Sequence, residues 1–202
     1  MNPSFTVRAT PDDGRRLSEP AWDESTRPTG PVPDPDRTYT PSELASAQHL
    51  VDIHDHLRAE LTQIRSLIEQ VTDGTLAPGP ARQRVNEMAL RSNRWTVGAH
   101  CAGYNYLVTT HHTLEDRAML PGLRRVDGRL GPVLDRLSEE HGIIHHVLEQ
   151  VDRALVAFVG DDDGADDRLR RSVDRLSDTL LSHLAYEERE LVEPLARAHL
   201  FG

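Results

Sequence analysis

The sequence predicts an all-α protein: an up-down-up-down antiparallel four-helix bundle preceded by a disordered N-terminal arm. Three observations lead there. Four stretches carry apolar residues at alternating three- and four-residue steps, the spacing that lines one face of a helix. No stretch of the 202 residues alternates apolar and polar side chains convincingly enough for a strand. Finally, 8 of the 13 prolines fall within residues 1–41, which leaves the later segments free to be helical.

Residues 1–41 mix Pro28, Pro31, Pro33 and Pro35 with Asp, Ser, Thr and Arg. Such a composition buries too little to repay its ordering entropy and reads as a flexible arm, with residues 42–202 forming the bundle. Thr40-Pro41-Ser42-Glu43 opens the first helix with an N-cap residue and a proline. Its stripe is Leu50, His54, Leu57, Leu61, Ile64 and Ile68, ending at Thr72-Asp73-Gly74 before a loop through Pro78, Gly79 and Pro80. The second helix spans about Arg82 to Leu120, with a break expected near Ser92-Asn93. It carries Val97, Cys101, Tyr104, Val108, His111, Glu115 and Ala118 until Pro121-Gly122 closes it. The third, after Pro132, presents Leu134, Leu137, His141, Ile144, Leu148, Val151, Leu155 and Phe158 and stops at the acidic tract 160–164. The fourth begins near Ala165-Asp166-Asp167, acidic as suits a helix N-terminus. It reads Leu169, Val173, Leu176, Leu180, His183, Glu187 and Leu191 before Pro194.

Composition removes several function classes. A formal net charge of −10 opposes neutralising nucleic-acid phosphates or an anionic membrane surface. All 23 basic residues are arginine, so neither a Schiff-base lysine nor a phosphate-loop lysine exists. The single Cys101 excludes an internal disulfide, a thiolate zinc finger and a cysteine-held iron–sulfur cluster, and fits a reducing compartment. No secretory signal is legible, and the uncharged run from Trp95 to Leu114 is too rich in His, Asn and Thr to insert in a bilayer. A cytoplasmic location is expected, with neither nucleic acid nor membrane as partner and any protein partner left open. Ser182-His183 is adjacent in sequence rather than facing, and no nucleophile elbow is present.

Against this background 11 histidines stand out. Each of the four apolar stripes is interrupted by one: His54 on the first helix, His111 with Glu115 on the second, His141 with His145 on the third, His183 with Glu187 on the fourth. A four-residue separation puts both members of a doublet on one face, about 5 to 6 Å apart at Cβ, so both can reach one metal or two adjacent ones. In an antiparallel bundle these positions fall at nearly the same height and can form one layer. Five imidazoles and two carboxylates are too many donors for one zinc and too rich in nitrogen for magnesium or calcium. Two iron ions bridged by Glu115 and Glu187 fit better, with manganese or zinc as substitutes.

Neighbouring residues compete for these roles. His56 with Glu60 repeats the doublet spacing on a more polar face, and the apolar periodicity favours His54. His112 and Asp116 form a doublet turned by about 100° from His111 and Glu115 and are expected to orient ligands from behind, as are His146 and Glu149. Glu188 rivals Glu187, which the stripe favours. His49, His100 and His199 lack partners at ligand spacing, and Cys101 and Tyr104 read as core.

Taken together, His54-Asp-His-Leu-Arg58, His111-His112-Thr-Leu-Glu115-Asp116 followed by Pro121, Glu140-His141 with His145, and His183-Leu-Ala-Tyr-Glu187-Glu188 resemble the hemerythrin-like proteins of the HHE cation-binding type over about residues 44–199. The resemblance implies a non-haem di-iron centre with a bridging oxo or hydroxo group. It also implies that the chain binds or reacts with a small diatomic or peroxide ligand: O2, NO or peroxide, in sensing or in an oxidative or nitrosative stress response. A peroxide-decomposing di-iron oxidoreductase, iron storage and a structural zinc bundle are the competing readings, and the same residues serve a carrier, a sensor or an enzyme. Two features depart from the respiratory oxygen carriers: they use an aspartate at the five-residue spacing, and they lack the arm, the longer second helix and the acidic loop.

Overall fold

The structure, a computed structural model, describes residues 5–72, 83–160 and 162–198, with side chains given outside 83–96. Five α-helices are described: α1 (Pro41–Thr72), α2 (Gln83–Leu114), α3 (Leu120–Val126), α4 (Gly131–Val159) and α5 (Ala165–Ala198). No strand occurs among the described residues. The loop proposed between Asp73 and Ala81 and the residue His199 lie outside them.

α1 starts as its sequence requires. Thr40 and Glu43 form a reciprocal capping box: the Thr40 N–H donates to Glu43 Oε2 at 2.7 Å and the Glu43 N–H to Thr40 Oγ1 at 3.3 Å, with Pro41 opening the helix. The second helical run differs from expectation at both of its marked points. α2 is continuous through Ser92-Asn93, and Pro121-Gly122 does not end it. Instead Glu115–Met119 form one π turn, closed by the Leu120 N–H on the Glu115 carbonyl, and the chain re-enters α-helix with Pro121 in the first turn of α3. A proline there forfeits no helical hydrogen bond, which is why the run passes through it to Val126. α5 likewise runs past Pro194 to Ala198.

α1 packs on α2 and α5, and α4 packs on the same two helices, so the four long helices close a ring. His54, Arg65 and Thr72 of α1 meet Glu188, Asp174 and Arg170 of α5, while His54 and Leu57 meet His111 and Tyr104 of α2.

The apolar interior falls into two parts. One is built around Leu57, Leu61, Ile64, Val108, Ile144 and Phe158; the other around Leu50, Met119, Leu123, Leu134, Leu137 and Leu191. Between them lies a buried polar layer holding His54, His111, His112, Glu115, His141, His183 and Glu187. Apolar packing above and below fixes the heights of these side chains, each fully buried leucine contributing about 1.5–3 kcal/mol.

Residues 5–40 lie along the bundle, mostly against α5. Carboxylates on the outer side of α5 accept arm N–H groups: Glu188 from Thr10 at 2.6 Å, Asp178 from Leu17 and Ser18 at 2.7 Å, and Glu190 from Gly30 at 2.7 Å. The Tyr39 hydroxyl donates to Glu193, and Val7 and Tyr39 are buried against the second apolar cluster. Neither proline content nor apolar periodicity reports contacts of this kind.

Candidate metal centre

Each long helix of the ring contributes imidazole to the buried layer. α1 gives His54, α2 gives His111 and His112, α4 gives His141, and α5 gives His183 and Glu187, with Glu115 standing at the first residue of the π turn. Their inward-facing atoms form two groups, each with all ligand atoms within 4.8 Å of one another: His54, His111, Glu115 and Glu187 in one, His112, His141 and His183 in the other.

The two carboxylates join the groups. Glu115 Oε1 is 3.3 Å from His111 Nε2 and its Oε2 is 3.6 Å from His141 Nε2. Glu187 Oε2 lies 3.5 Å from His54 Nε2 and 3.6 Å from His183 Nε2. Each therefore reaches an imidazole of both groups. His54 Nε2 and His111 Nε2 face each other at 3.1 Å, and the His112 ring stacks on His141 with centroids 4.2 Å apart.

Three imidazoles are held from behind through Nδ1, which leaves Nε2 turned inward. Glu188 accepts from His54 at 2.9 Å, Asp116 from His141 at 2.9 Å and Glu140 from His183 at 3.0 Å. Carboxylates in this position fix the ring orientation and tautomer of a ligating histidine and raise its basicity.

Of the inward atoms, His54 Nε2 and His111 Nε2 have only each other, and most of the rest have no hydrogen-bond partner. Both oxygens of Glu115 and of Glu187, both nitrogens of His112, and Nε2 of His141 and His183 are buried and unsatisfied. Each such atom costs about 1–3 kcal/mol without a partner. Electrostatics tells the same story: burial drives His111 and His112 well below the ordinary histidine range and His183 down to about 4. Burial, then the adjacent Glu187 carboxylate, pushes Glu115 well up, and burial lifts Glu187 to about 8. Neutral imidazoles and paired carboxylates with free lone pairs are the donor set of a divalent or trivalent cation, whose charge reverses the penalty on the carboxylates.

With that geometry in place, comparison with known families is decisive. The family model of the hemerythrin HHE cation-binding domain matches residues 45–195. This chain belongs to that family. No curated protein and no solved structure gives a match in the corresponding comparisons.

As a hemerythrin HHE domain, the chain brings together six of the seven side chains singled out from sequence: His54, His111, Glu115, His141, His183 and Glu187. The seventh, His145, belongs to neither group. It is half-buried in the wall of a groove with Asn105, Tyr106 and Leu148, its ring centroid 5.7 Å from that of His112. The Nε2 atom of His145 is buried and without a hydrogen-bond partner, and His112 also stands in the layer, fully buried. Where two residues competed, His54 and Glu187 point inward, His56 is exposed, and Glu188 sits behind His54. His146 and Glu149 pair at the surface, and His49 and His100 are exposed. Cys101 and Tyr104 are core residues: burial raises both, the thiol to about 11, and the Tyr104 hydroxyl donates to the Leu57 carbonyl at 3.1 Å.

The signal for His112 was the His111-His112 pair itself. Consecutive helical residues diverge by about 100°, and α2 faces α1 on one side and α4 on the other. His111 turns toward His54 while His112 turns toward His141 and His183. A single apolar stripe selects only one of them.

Proposed function

We propose that the chain is a non-haem di-iron protein whose bundle-core site binds or reacts with O2, NO or peroxide, acting in sensing or in an oxidative or nitrosative stress response. One observation carries the reading: Glu115 and Glu187, whose own oxygens lack hydrogen-bond partners, each reach imidazoles of two separate groups in the buried layer. On this reading His54 and His111 would hold one ion and His112, His141 and His183 the other, with Glu115 and Glu187 in reach of both groups. Bound there, two iron ions supply a redox-active pair with affinity for small oxidants.

The protein's own side chains define what reaches that site. A cavity of about 240 Å³, walled mainly by Leu50, Ile53, Leu114, Ala118 and Met119, ends on His111 and Glu115. Its size and apolar walls suit a small uncharged molecule better than a large polar substrate. On the opposite side His112, His141 and His183 pack closely, and Asp116 and Glu140 hold two of these rings in orientation.

The order of the interhelical contacts supports the up-down-up-down antiparallel arrangement of α1, α2, α4 and α5, with residues 42–202 as the bundle domain. No described helix is long and apolar enough to cross a membrane, and the lone buried Cys101 supports a reducing compartment such as the cytoplasm.

The test is metal analysis combined with absorption spectra of the protein reduced without air and then exposed to oxygen. About two irons per chain and near-ultraviolet charge-transfer bands are expected, and their reversal on removing oxygen separates a carrier or sensor from an oxidase. Zinc or manganese retained in place of iron, with a colourless protein, defeats the redox assignment. A protein that takes up no metal defeats the proposal entirely.

A further inference from the structure

The N-terminal segment reaches the centre through two relays. In the first, Arg27 places a two-pronged guanidinium on Glu140, Nε to Oε1 and Nη2 to Oε2, both at 2.8 Å. Glu140 in turn accepts from His183 Nδ1. The Arg27 side chain is only 6% exposed, packed between the rings of Trp22 at 5.2 Å and Tyr186 at 4.6 Å, and Nη1 donates to Ser182 Oγ. In the second, the Thr10 backbone N–H donates to Glu188 Oε2, while the other oxygen of Glu188 accepts from His54 Nδ1.

These contacts are more than surface adhesion. Glu140 is fully buried, and its charge rests on Arg27 and Arg136 together with His183. A buried carboxylate that loses an arginine fork becomes a poorer anchor for the imidazole behind which it sits. His54 and His183 fall in different halves of the layer, so the two relays address both groups of donors.

We infer that residues 5–40 form a strap whose docking positions His54 and His183, so that strap docking and metal retention stabilise each other. This rests on the metal-binding reading above. Arg27 and the Thr10 amide are positioning groups, acting through Glu140 and Glu188 and never touching the ion. Because linkage is reciprocal, metal bound at the centre must hold the strap more tightly by the same factor with which the strap holds the metal.

The experiment uses the full chain loaded anaerobically with ferrous iron, and separately with zinc. Release to excess chelator is timed for wild type, Arg27→Ala, Arg27→Lys and the exposed control Arg15→Ala, with circular dichroism as a check on folding. Amide hydrogen exchange at Thr10 is measured with and without zinc. Arg27→Ala is expected to release metal about tenfold faster, the low end of the effect of groups that orient ligand histidines. Arg27→Lys, which keeps the charge but not the fork, is expected to fall between and to shift the near-ultraviolet bands that appear when the ferrous protein is exposed to oxygen. Arg15→Ala is expected to match wild type, and zinc to slow Thr10 exchange about tenfold. If wild type loads metal but all four proteins release it at one rate and Thr10 exchange ignores zinc, the strap inference is overturned and the metal centre stands. If wild type takes up neither metal, both fall. If Arg27→Ala fails to fold, Arg27→Lys and the Thr10 exchange decide the matter alone.

Discussion

Replacing Glu187 by leucine is expected to stabilise the metal-free protein while abolishing its response to metal. Glu187 is fully buried between His54 and His183, and neither of its oxygens has a hydrogen-bond partner. At about 1–3 kcal/mol for each unsatisfied atom, a leucine of similar volume relieves on the order of 2–4 kcal/mol. For a domain of this size that is roughly a 4–16 °C rise in Tm of chelator-treated protein. The wild type behaves oppositely: metal at a thousandfold excess over Kd adds about 4.1 kcal/mol, and the variant forfeits that gain. The order of stability therefore inverts between the two conditions. The pH dependence adds a second signature. Burial raises Glu187 to about 8 from an unfolded value of 4.5, so between those limits the folded state holds the extra proton and metal-free stability falls as pH rises. His54, His111, His112 and His183 are lowered from 6.5, and their contribution grows only below that value. Between pH 6.5 and 8 the carboxylates act without them, so wild-type metal-free stability should decline there and the variant's should be flatter. Urea unfolding across this range, with and without metal, measures both. A metal-free Glu187→Leu protein less stable than wild type refutes the reasoning, since it means the carboxylate is satisfied without a cation.

Three further expectations follow from the packing. His112→Ala should lose metal, because His112 stands in the layer beside His141 and His183, whereas His145→Ala should keep its full content by elemental analysis; the reverse result restores His145 as a ligand. Leu57→Ala, at a fully buried position next to the polar layer, should cost about 2–5 kcal/mol in chemical denaturation with metal content unchanged. Thr40→Ala removes half of the capping box at the start of α1 and should cost about 1 kcal/mol, a drop of a few degrees in Tm.

The helical class, the stripes and most of the buried layer were legible because one physical rule governs them. Leu50, Leu57, Leu61 and Ile64 must face the interior, and a histidine in register with them must face it too. The end of the second helix was not legible, since Pro121 reads as a stop unless a π turn just before it shifts the hydrogen-bond pattern and leaves the proline in a first turn. His112 lies deeper than a single stripe indicates, for a related reason. Periodicity asks which single direction is buried, and α2, wedged between α1 and α4, buries two.

The strap escapes periodicity altogether because its contacts are polar. Asp178 and Glu190 lie off the apolar stripe of α5, and Glu188 enters the sequence reading only as a rival to Glu187, yet all three are buried and each accepts N–H groups from the arm. A proline-rich segment suits that role: it stays extended, cannot compete for its own helical bonds, and offers its few N–H groups outward. α5 thus has two working faces, turned by about 100° from one residue to the next. His183 and Glu187 turn to the interior while Glu188 turns to the arm, and adjacency of Glu187 to Glu188 in sequence is what brings the strap within one carboxylate of the centre. An amphipathic helix with acidic residues flanking its interior histidine doublet carries, in that arrangement, both a candidate metal ligand and the anchor for what covers it.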